Sequence, residues 1–141
     1  LPDVSVLCAT DGLLAYFRCL TGTRPEAQHA GEQSRQRHKL MFSLNYALAR
    51  GREAIDGLCA ALKGNSIVTD IRGIGLMIGV DFVDADAAAD VEIEAFKRGL
   101  LVLTCGDRGV RMSPPLVVNA EEIKTAVRIF AEAAAAVAAR R

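Results

Sequence analysis

The sequence predicts an α+β fold: a small mixed or antiparallel sheet with helices packed on one face, preceded by a partly helical N-terminal segment. Three observations predict it. Leu44, Leu48, Gly51, Ile55, Leu58 and Leu62 recur at spacings of four and three, which gives a helix one apolar stripe. Leu76 to Val83 alternates, with Leu76, Ile78, Val80 and Phe82 on one face and Met77, Gly79, Asp81 and Val83 on the other, the period of a half-buried strand. The extended segments are joined partly by tight glycine turns and partly by a helix-length stretch, so helices share one layer and strands another.

Size and charge fit this reading. The chain has 141 residues, 51% hydrophobic and 24% charged, a globular composition. A chain this long buries roughly 68–70% of its unfolded surface, enough for a core without staples. Seventeen basic and seventeen acidic residues cancel, so the electrostatic footprint of a nucleic-acid binder is missing. No run approaches the length of a membrane span. Leu1 to Ala9 has neither a basic n-region nor a long apolar run, so the chain, which opens on Leu1 rather than Met, reads as processed or as a fragment without a secretory signal. Cys8, Cys19, Cys59 and Cys105 are irregularly spaced and read as free thiols of a reducing cytoplasm. His29 and His38 lie far from any acidic cluster, so no zinc site is expected.

Residues 1–40 form an unassigned, partly helical segment. Asp11 suits the cap of a short helix over Gly12–Leu20, residues 21–25 read as a turn, and Thr23 with Glu26 has the spacing of a capping box. Glu26 to Lys39 is polar, which as a helix is solvated or leans on a partner. Residues 41–141 carry the fold. The stripe helix ends at Lys63-Gly64-Asn65, where Gly64 or Asn65 takes positive φ. Gly51 on the stripe weakens the helix by about 1 kcal/mol relative to alanine and allows a neighbour close. Ile67 to Ile71 reads as a strand, Arg72 to Gly75 as a glycine corner, and Leu76 to Val83 as the next strand. Asp84 to Arg98 reads as a helix, acidic at its start and basic at its end as the helix dipole favours, closed by Gly99. Leu100 to Thr104, continuously apolar, reads as a strand buried on both faces. Cys105 to Gly109 reads as a tight turn, and Val110 to Met112 as a strand stopped by Pro114-Pro115. Asn119 with Glu122 caps a last helix to about Ala139 that points Ile123, Val127, Phe130, Ala134 and Val137 inward.

Few residues invite chemistry. Gly73, Gly75 and Gly79 suggest a dinucleotide loop, but a strand follows them where phosphate binding needs a helix N-terminus. They read as structural glycines that turn a corner and let backbone pass close by, and Gly106 as a turn glycine beside them. Ser113 has no histidine near it in sequence, and Cys105 stands alone at a strand end. Arg111 is different. An arginine in a short strand after a glycine turn either pairs with a carboxylate of the protein or binds an anionic ligand through its planar fork, because an unpaired buried charge costs several kcal/mol.

The run Val68 to Phe82, with Arg72-Gly73-Ile74-Gly75-Leu76-Met77 at its centre, resembles the C-terminal small domain of class-III pyridoxal-phosphate-dependent aminotransferases of the 4-aminobutyrate and acetylornithine type. So does Lys97 to Gly106, followed by Val110-Arg111-Met112-Ser113-Pro114-Pro115 and Glu121-Glu122-Ile123. The motifs stand in the family's order and spacing over about residues 43–141, and residues 1–40 do not match.

The resemblance implies the C-terminal domain of a fold-type I pyridoxal-phosphate enzyme. It implies transfer of an amino group from an amine or ω-amino acid to a 2-keto acid, with the cofactor as electron sink. It gives Arg111 a substrate-binding role as the arginine that reaches a substrate carboxylate or an acidic residue of the large domain, and Cys105 and Gly106 a shaping role. In the family the Schiff-base lysine, the aspartate on the pyridine nitrogen and the phosphate loop belong to the large domain. Lys39, Lys63, Lys97 and Lys124 match none of them, so the chain alone is expected to bind no cofactor and to be catalytically empty. The partners implied are a small-molecule amino donor and a keto acid in an intact enzyme, and self-association or docking to a large domain, with no nucleic acid and no membrane. The alternative reading is a non-catalytic remnant acting as a binding or oligomerisation module.

Overall fold

The computed structural model describes residues 30–141, with side chains from Lys39 onward. Asp11 and the helix after it, the turn at 21–25, the Thr23–Glu26 box, Cys8, Cys19 and His29 lie outside the described residues. The chain divides into two compact units, Leu1–Gln36 and Arg37–Arg141. In order, the described elements are helix α1 (Ala30–Ala61), strands β1 (Val68–Ile74) and β2 (Met77–Phe82), helix α2 (Ala85–Lys97), strands β3 (Leu103–Cys105) and β4 (Gly109–Met112), and helix α3 (Ala120–Ala138). This is the helix–strand–strand–helix–strand–strand–helix order and the α+β class that the periodicities predict. The sheet is antiparallel throughout, in the order β1-β2-β4-β3.

The strand alternation sets the two faces. Ile78, Val80 and Phe82 of β2 and Val110 and Met112 of β4 are buried under the helices. Phe82 meets Phe130 of α3 with ring centroids 6.3 Å apart. Ile123, Val127, Phe130, Ala134 and Val137 of α3 all point inward, as their spacing requires. The hydroxyl of Tyr46 in α1 donates to the Val118 carbonyl at 2.8 Å, which ties the helix to the segment entering α3.

Local sequence explains the element ends. Gly64, with φ 80°, lets the chain turn out of α1, and the Asn65 side chain accepts from the Ile67 amide at 3.1 Å. The Asp84 carboxylate caps α2 by accepting from the Ala87 amide at 2.7 Å. Asn119 and Glu122 form a reciprocal capping box at the start of α3. At the other end of α3, Arg140 pairs with Glu94 of α2 at 2.8 Å and Arg141 with Asp84 at 2.6 Å, so the last two residues clasp both ends of α2.

Three expectations are corrected. The stripe of α1 is buried only over its C-terminal half, at Gly51, Ala54, Leu58 and Leu62; Leu48 is 51% exposed, and Ala54 takes the innermost position in place of Ile55. Leu44 is only half-buried as well, so the packing that buries Ala54, Leu58 and Leu62 thins toward the start of the stripe. Leu100 to Thr104 is not a doubly buried strand. Only Leu103–Cys105 is extended, at the sheet edge, with Leu101 79% exposed, because β3 pairs with β4 alone among the described strands and its free edge meets only the Glu92 carboxylate of α2, which accepts from the Thr104 amide at 2.8 Å. The glycine corner is narrower than Arg72 to Gly75: Arg72, Gly73 and Ile74 pair with Gly79, Ile78 and Met77, and Gly75-Leu76 alone turn the chain.

Candidate functional site

The face of the sheet away from the helices carries a second set of residues, and strand register fixes their neighbours. Arg72 of β1 faces Gly79 of β2, Gly79 faces Arg111 of β4, and Arg111 faces Leu103 of β3, so one row crosses all four strands. The next row runs Asp70, Asp81, Gly109, Cys105, and on the other side Ile74 pairs with Met77. Residues two apart on a strand share a face, so these rows form one surface. A bulge at Thr69 sets it up: Val68 pairs with Phe82 but Asp70 with Asp81, and the extra residue turns Asp70 and Arg72 outward together.

The acidic pair on this surface is neutralised from within. Asp70 and Asp81 stand directly opposite each other, which like charges resist. Arg72 resolves it: Nη1 donates to Asp70 Oδ2 at 2.8 Å and to Asp81 Oδ2 at 2.7 Å, and Nη2 donates to Asp81 Oδ1 at 3.1 Å. The fork on Asp81 is bidentate, and the hydrogen bonds to Asp81 and Asp70 raise the Arg72 pKa, so this guanidinium is held firmly charged. Neither Arg72 nor Asp81 was singled out by sequence reasoning. The signal was available: strand alternation puts Asp81 on the face of Gly79, and the hairpin brings Arg72 to that glycine.

Arg111 is exposed and makes no ion pair with any described residue. It stands two strands from Arg72, about 10 Å of sheet away, with Gly79 between them. A Cβ at Gly79 would meet only the Arg72 carbonyl oxygen, at 4.0 Å, so the space beside Arg111 is floored by backbone and open above. A forked cation beside a bare backbone strip on a sheet face can take a planar anion, a carboxylate above all, in bidentate contact.

The other predicted residues fall elsewhere. Gly75 makes the β1–β2 turn with φ 55°, and α1 crosses it so closely that a Cβ on Gly51 would lie 1.7 Å from the Gly75 carbonyl oxygen. Gly73 stands within β1, where a Cβ would lie 2.6 Å from the Met77 carbonyl oxygen and 3.2 Å from Ile55 Cδ1, so its role is close packing rather than turning. Gly106, with φ 64°, opens the loop between β3 and β4. Cys105 is an exposed free thiol in the second row.

Pyridoxal phosphate needs a lysine that reacts as a free amine, a carboxylate for its ring nitrogen and a phosphate cradle. The described residues do not fit it. Lys39 and Lys63 are exposed, Lys97 is paired with Glu94 at 3.0 Å, and Lys124 with Glu121 at 2.7 Å. Lys124 borders a groove of about 630 Å³ between α1 and α3, but Glu121 pushes its pKa up, opposite to the tuning a reactive amine requires. Among the described residues, no group of three or more His, Cys, Asp or Glu is placed to hold a metal ion, and no helix is long and apolar enough to cross a membrane.

Comparison with known proteins gives the chain relatives of one kind. The chain is 36% identical over 81 residues to an acetylornithine aminotransferase of Caldanaerobacter subterraneus, covering 57% of the chain and 20% of that protein. It is 36% identical over 84 residues to a mitochondrial gamma-aminobutyrate transaminase of Oryza sativa, covering 52% and 16%. Among solved structures, the lysine aminotransferase from M. tuberculosis superposes with a TM-score of 0.65 at 26% identity, covering 70% of the chain and 23% of that chain. A transaminase from the marine bacterium Virgibacillus shares the fold with a TM-score of 0.67 at 19% identity. The chain thus spans about a fifth of the length of the curated relatives it matches. Residues 39–134, which hold every described strand and most of the three helices, match the family model for aminotransferase class-III, and the chain belongs to that pyridoxal-phosphate-dependent family.

Proposed function

We propose that this chain is the C-terminal, substrate-facing portion of a class-III aminotransferase. In this reading it serves amino transfer from an amine or ω-amino acid to a 2-keto acid with pyridoxal phosphate, and Arg111 binds the substrate carboxylate. The observation that carries the reading is the exposed Arg111 guanidinium, unpaired among the described residues, beside the open strip of Gly79 on a sheet face that no described helix covers. The relatives' names supply the substrate class: acetylornithine, γ-aminobutyrate and lysine each carry a carboxylate and an amine remote from it.

The chain by itself does not transaminate in this reading. The four lysines are exposed or ion-paired, so in this reading that chemistry belongs to residues on a partner domain. Ile74, Met77 and Leu103, exposed around Arg111, suit a face that docks against such a domain. The exposed free thiols Cys59 and Cys105 suit a reducing compartment such as the cytoplasm.

The test has two parts. Chain 1–141 mixed with pyridoxal phosphate and reduced with borohydride is expected to carry no stoichiometric label on Lys39, Lys63, Lys97 or Lys124; such a label on one lysine would overturn the reading. Grafted in place of the matching segment of an acetylornithine aminotransferase, residues 39–141 are expected to support turnover. Arg111→Ala in that graft should raise KM for the keto acid by about 10- to 100-fold, the worth of a charge-assisted hydrogen-bonded contact.

A further inference from the structure

We propose that Arg72 is a positioning residue for Arg111: by saturating Asp81 it keeps that carboxylate from capturing the ligand-binding arginine. The inference rests on the reading of Arg111 as a carboxylate-binding residue and deepens it.

The geometry puts Asp81 within reach of both arginines. Asp81 faces Gly109, and Arg111 is two residues from Gly109 on the same strand and the same face. Asp81 and Arg111 are therefore diagonal cross-strand neighbours, about 7–8 Å apart and somewhat closer at Cβ, a span long side chains close readily. The Asp81 carboxylate also leans toward β4, since its Oδ1 lies 2.9 Å from where a Cβ on Gly109 would be. The missing side chain at 109 makes room for it. On a sheet face with no other free cation among the residues of these two rows, an unsatisfied Asp81 would close onto Arg111 and occupy the fork that a substrate carboxylate needs.

Arg72 prevents this by geometry as well as charge. Its two terminal nitrogens take both oxygens of Asp81, and Nη1 also takes Asp70. Asp70 in turn holds Arg72 over Asp81. Two carboxylates and one guanidinium thus form a closed group on one half of the face, and Gly79 separates it from Arg111. The arrangement leaves Arg111 as the free fork and keeps the acidic pair from repelling an incoming anion at full strength.

The test reads the freedom of Arg111 directly, in the whole chain and without any ligand. Purified chain 1–141 is treated with 4-hydroxyphenylglyoxal, which labels uncomplexed guanidinium groups, and the rate at Arg111 is followed by peptide mass. The expected result is that Arg72→Ala slows labelling of Arg111 by about two- to fivefold, the range of an exposed ion pair, and that Arg72→Ala with Asp81→Asn restores the parent rate. A merely structural role for Arg72 would not be rescued by removing the Asp81 charge. An unchanged Arg111 rate in Arg72→Ala, or a slowed rate that persists in the double variant, overturns the proposal. Arg72→Gln keeps most of the side-chain stem and carries the same prediction where alanine does not fold. Protection of parent Arg111 by excess 2-oxoglutarate is measured separately. Its absence would overturn the carboxylate reading while the rates still decide the role of Arg72.

Discussion

The two faces of the sheet are made by the same strands, and alternate residues of one strand do opposite things. On β4, Val110 and Met112 are buried against the helices while Arg111 between them is exposed. On β2, Ile78, Val80 and Phe82 go inward while Gly79 and Asp81 go outward. The inner face is chosen for volume and contains no charge. The outer face is chosen for charge and for gaps, with glycine at 79 and 109. Burial of apolar area is the dominant favourable term in folding, so stability concentrates on the inner face. Recognition of an anion needs a solvent-reachable fork, so in the proposed reading it falls to the outer one. A one-residue register slip would exchange the two sets, which is why the Thr69 bulge and the Gly75-Leu76 turn matter to both.

The comparison breaks most readily from the inner side. Phe82 is fully buried against Phe130. Phe82→Ala should cost about 3–5 kcal/mol in urea unfolding, the usual range for emptying an aromatic site. A second break tests how tightly α1 is laid on the hairpin. Alanine in a helix interior ordinarily gains about 1 kcal/mol over glycine, but at Gly51 the new Cβ would lie 1.7 Å from the Gly75 carbonyl oxygen. Gly51→Ala should therefore destabilise by about 1–3 kcal/mol, the cost of overpacking; a gain in the same unfolding experiment would show that the helix does not sit on the turn.

The clasp at the end of α3 sharpens the comparison from outside the sheet. Arg98, Arg140 and Lys97 hold Glu94 at a pKa of about 2, well below the ordinary carboxyl value. A depressed folded pKa means that the contribution is present above the unfolded value of 4.5 and is lost as pH falls through about 2. The stability difference between the parent chain and Glu94→Gln should thus be constant near neutrality and shrink as pH falls from 4.5 toward 2. A difference independent of pH over that window would show that Glu94 is held by shape and not by charge.

How much of this was legible in the sequence divides along the same lines. The alternation from Leu76 to Phe82, the Asn119–Glu122 cap and the inward set of α3 were readable because each depends on a period or a local hydrogen bond. The exposure of Leu48 and of Leu101 was not, because an apolar residue is buried only where another element arrives to cover it, and arrival is a property of the whole fold. The exposed place of Arg111, a forked cation in a short strand, was legible, and so was the family, in the three motifs. Of the Arg72–Asp81–Asp70 group, the hairpin and the strand alternation could have given Arg72 and Asp81, but the pairing of Asp70 with Asp81 could not be read, because it depends on a bulge at Thr69 that no spacing along the chain announces.

The central claim, that β4 divides stability from recognition between adjacent residues, is tested most directly by the KM for the keto acid in the grafted enzyme with Arg111→Ala, set beside Val110→Ala. The account predicts a rise of about 10- to 100-fold for Arg111→Ala with the urea midpoint unchanged, and a lowered midpoint with unchanged KM for Val110→Ala. A KM within about twofold of the parent in Arg111→Ala, accompanied by a fall in the unfolding midpoint, would contradict it and make Arg111 a structural residue.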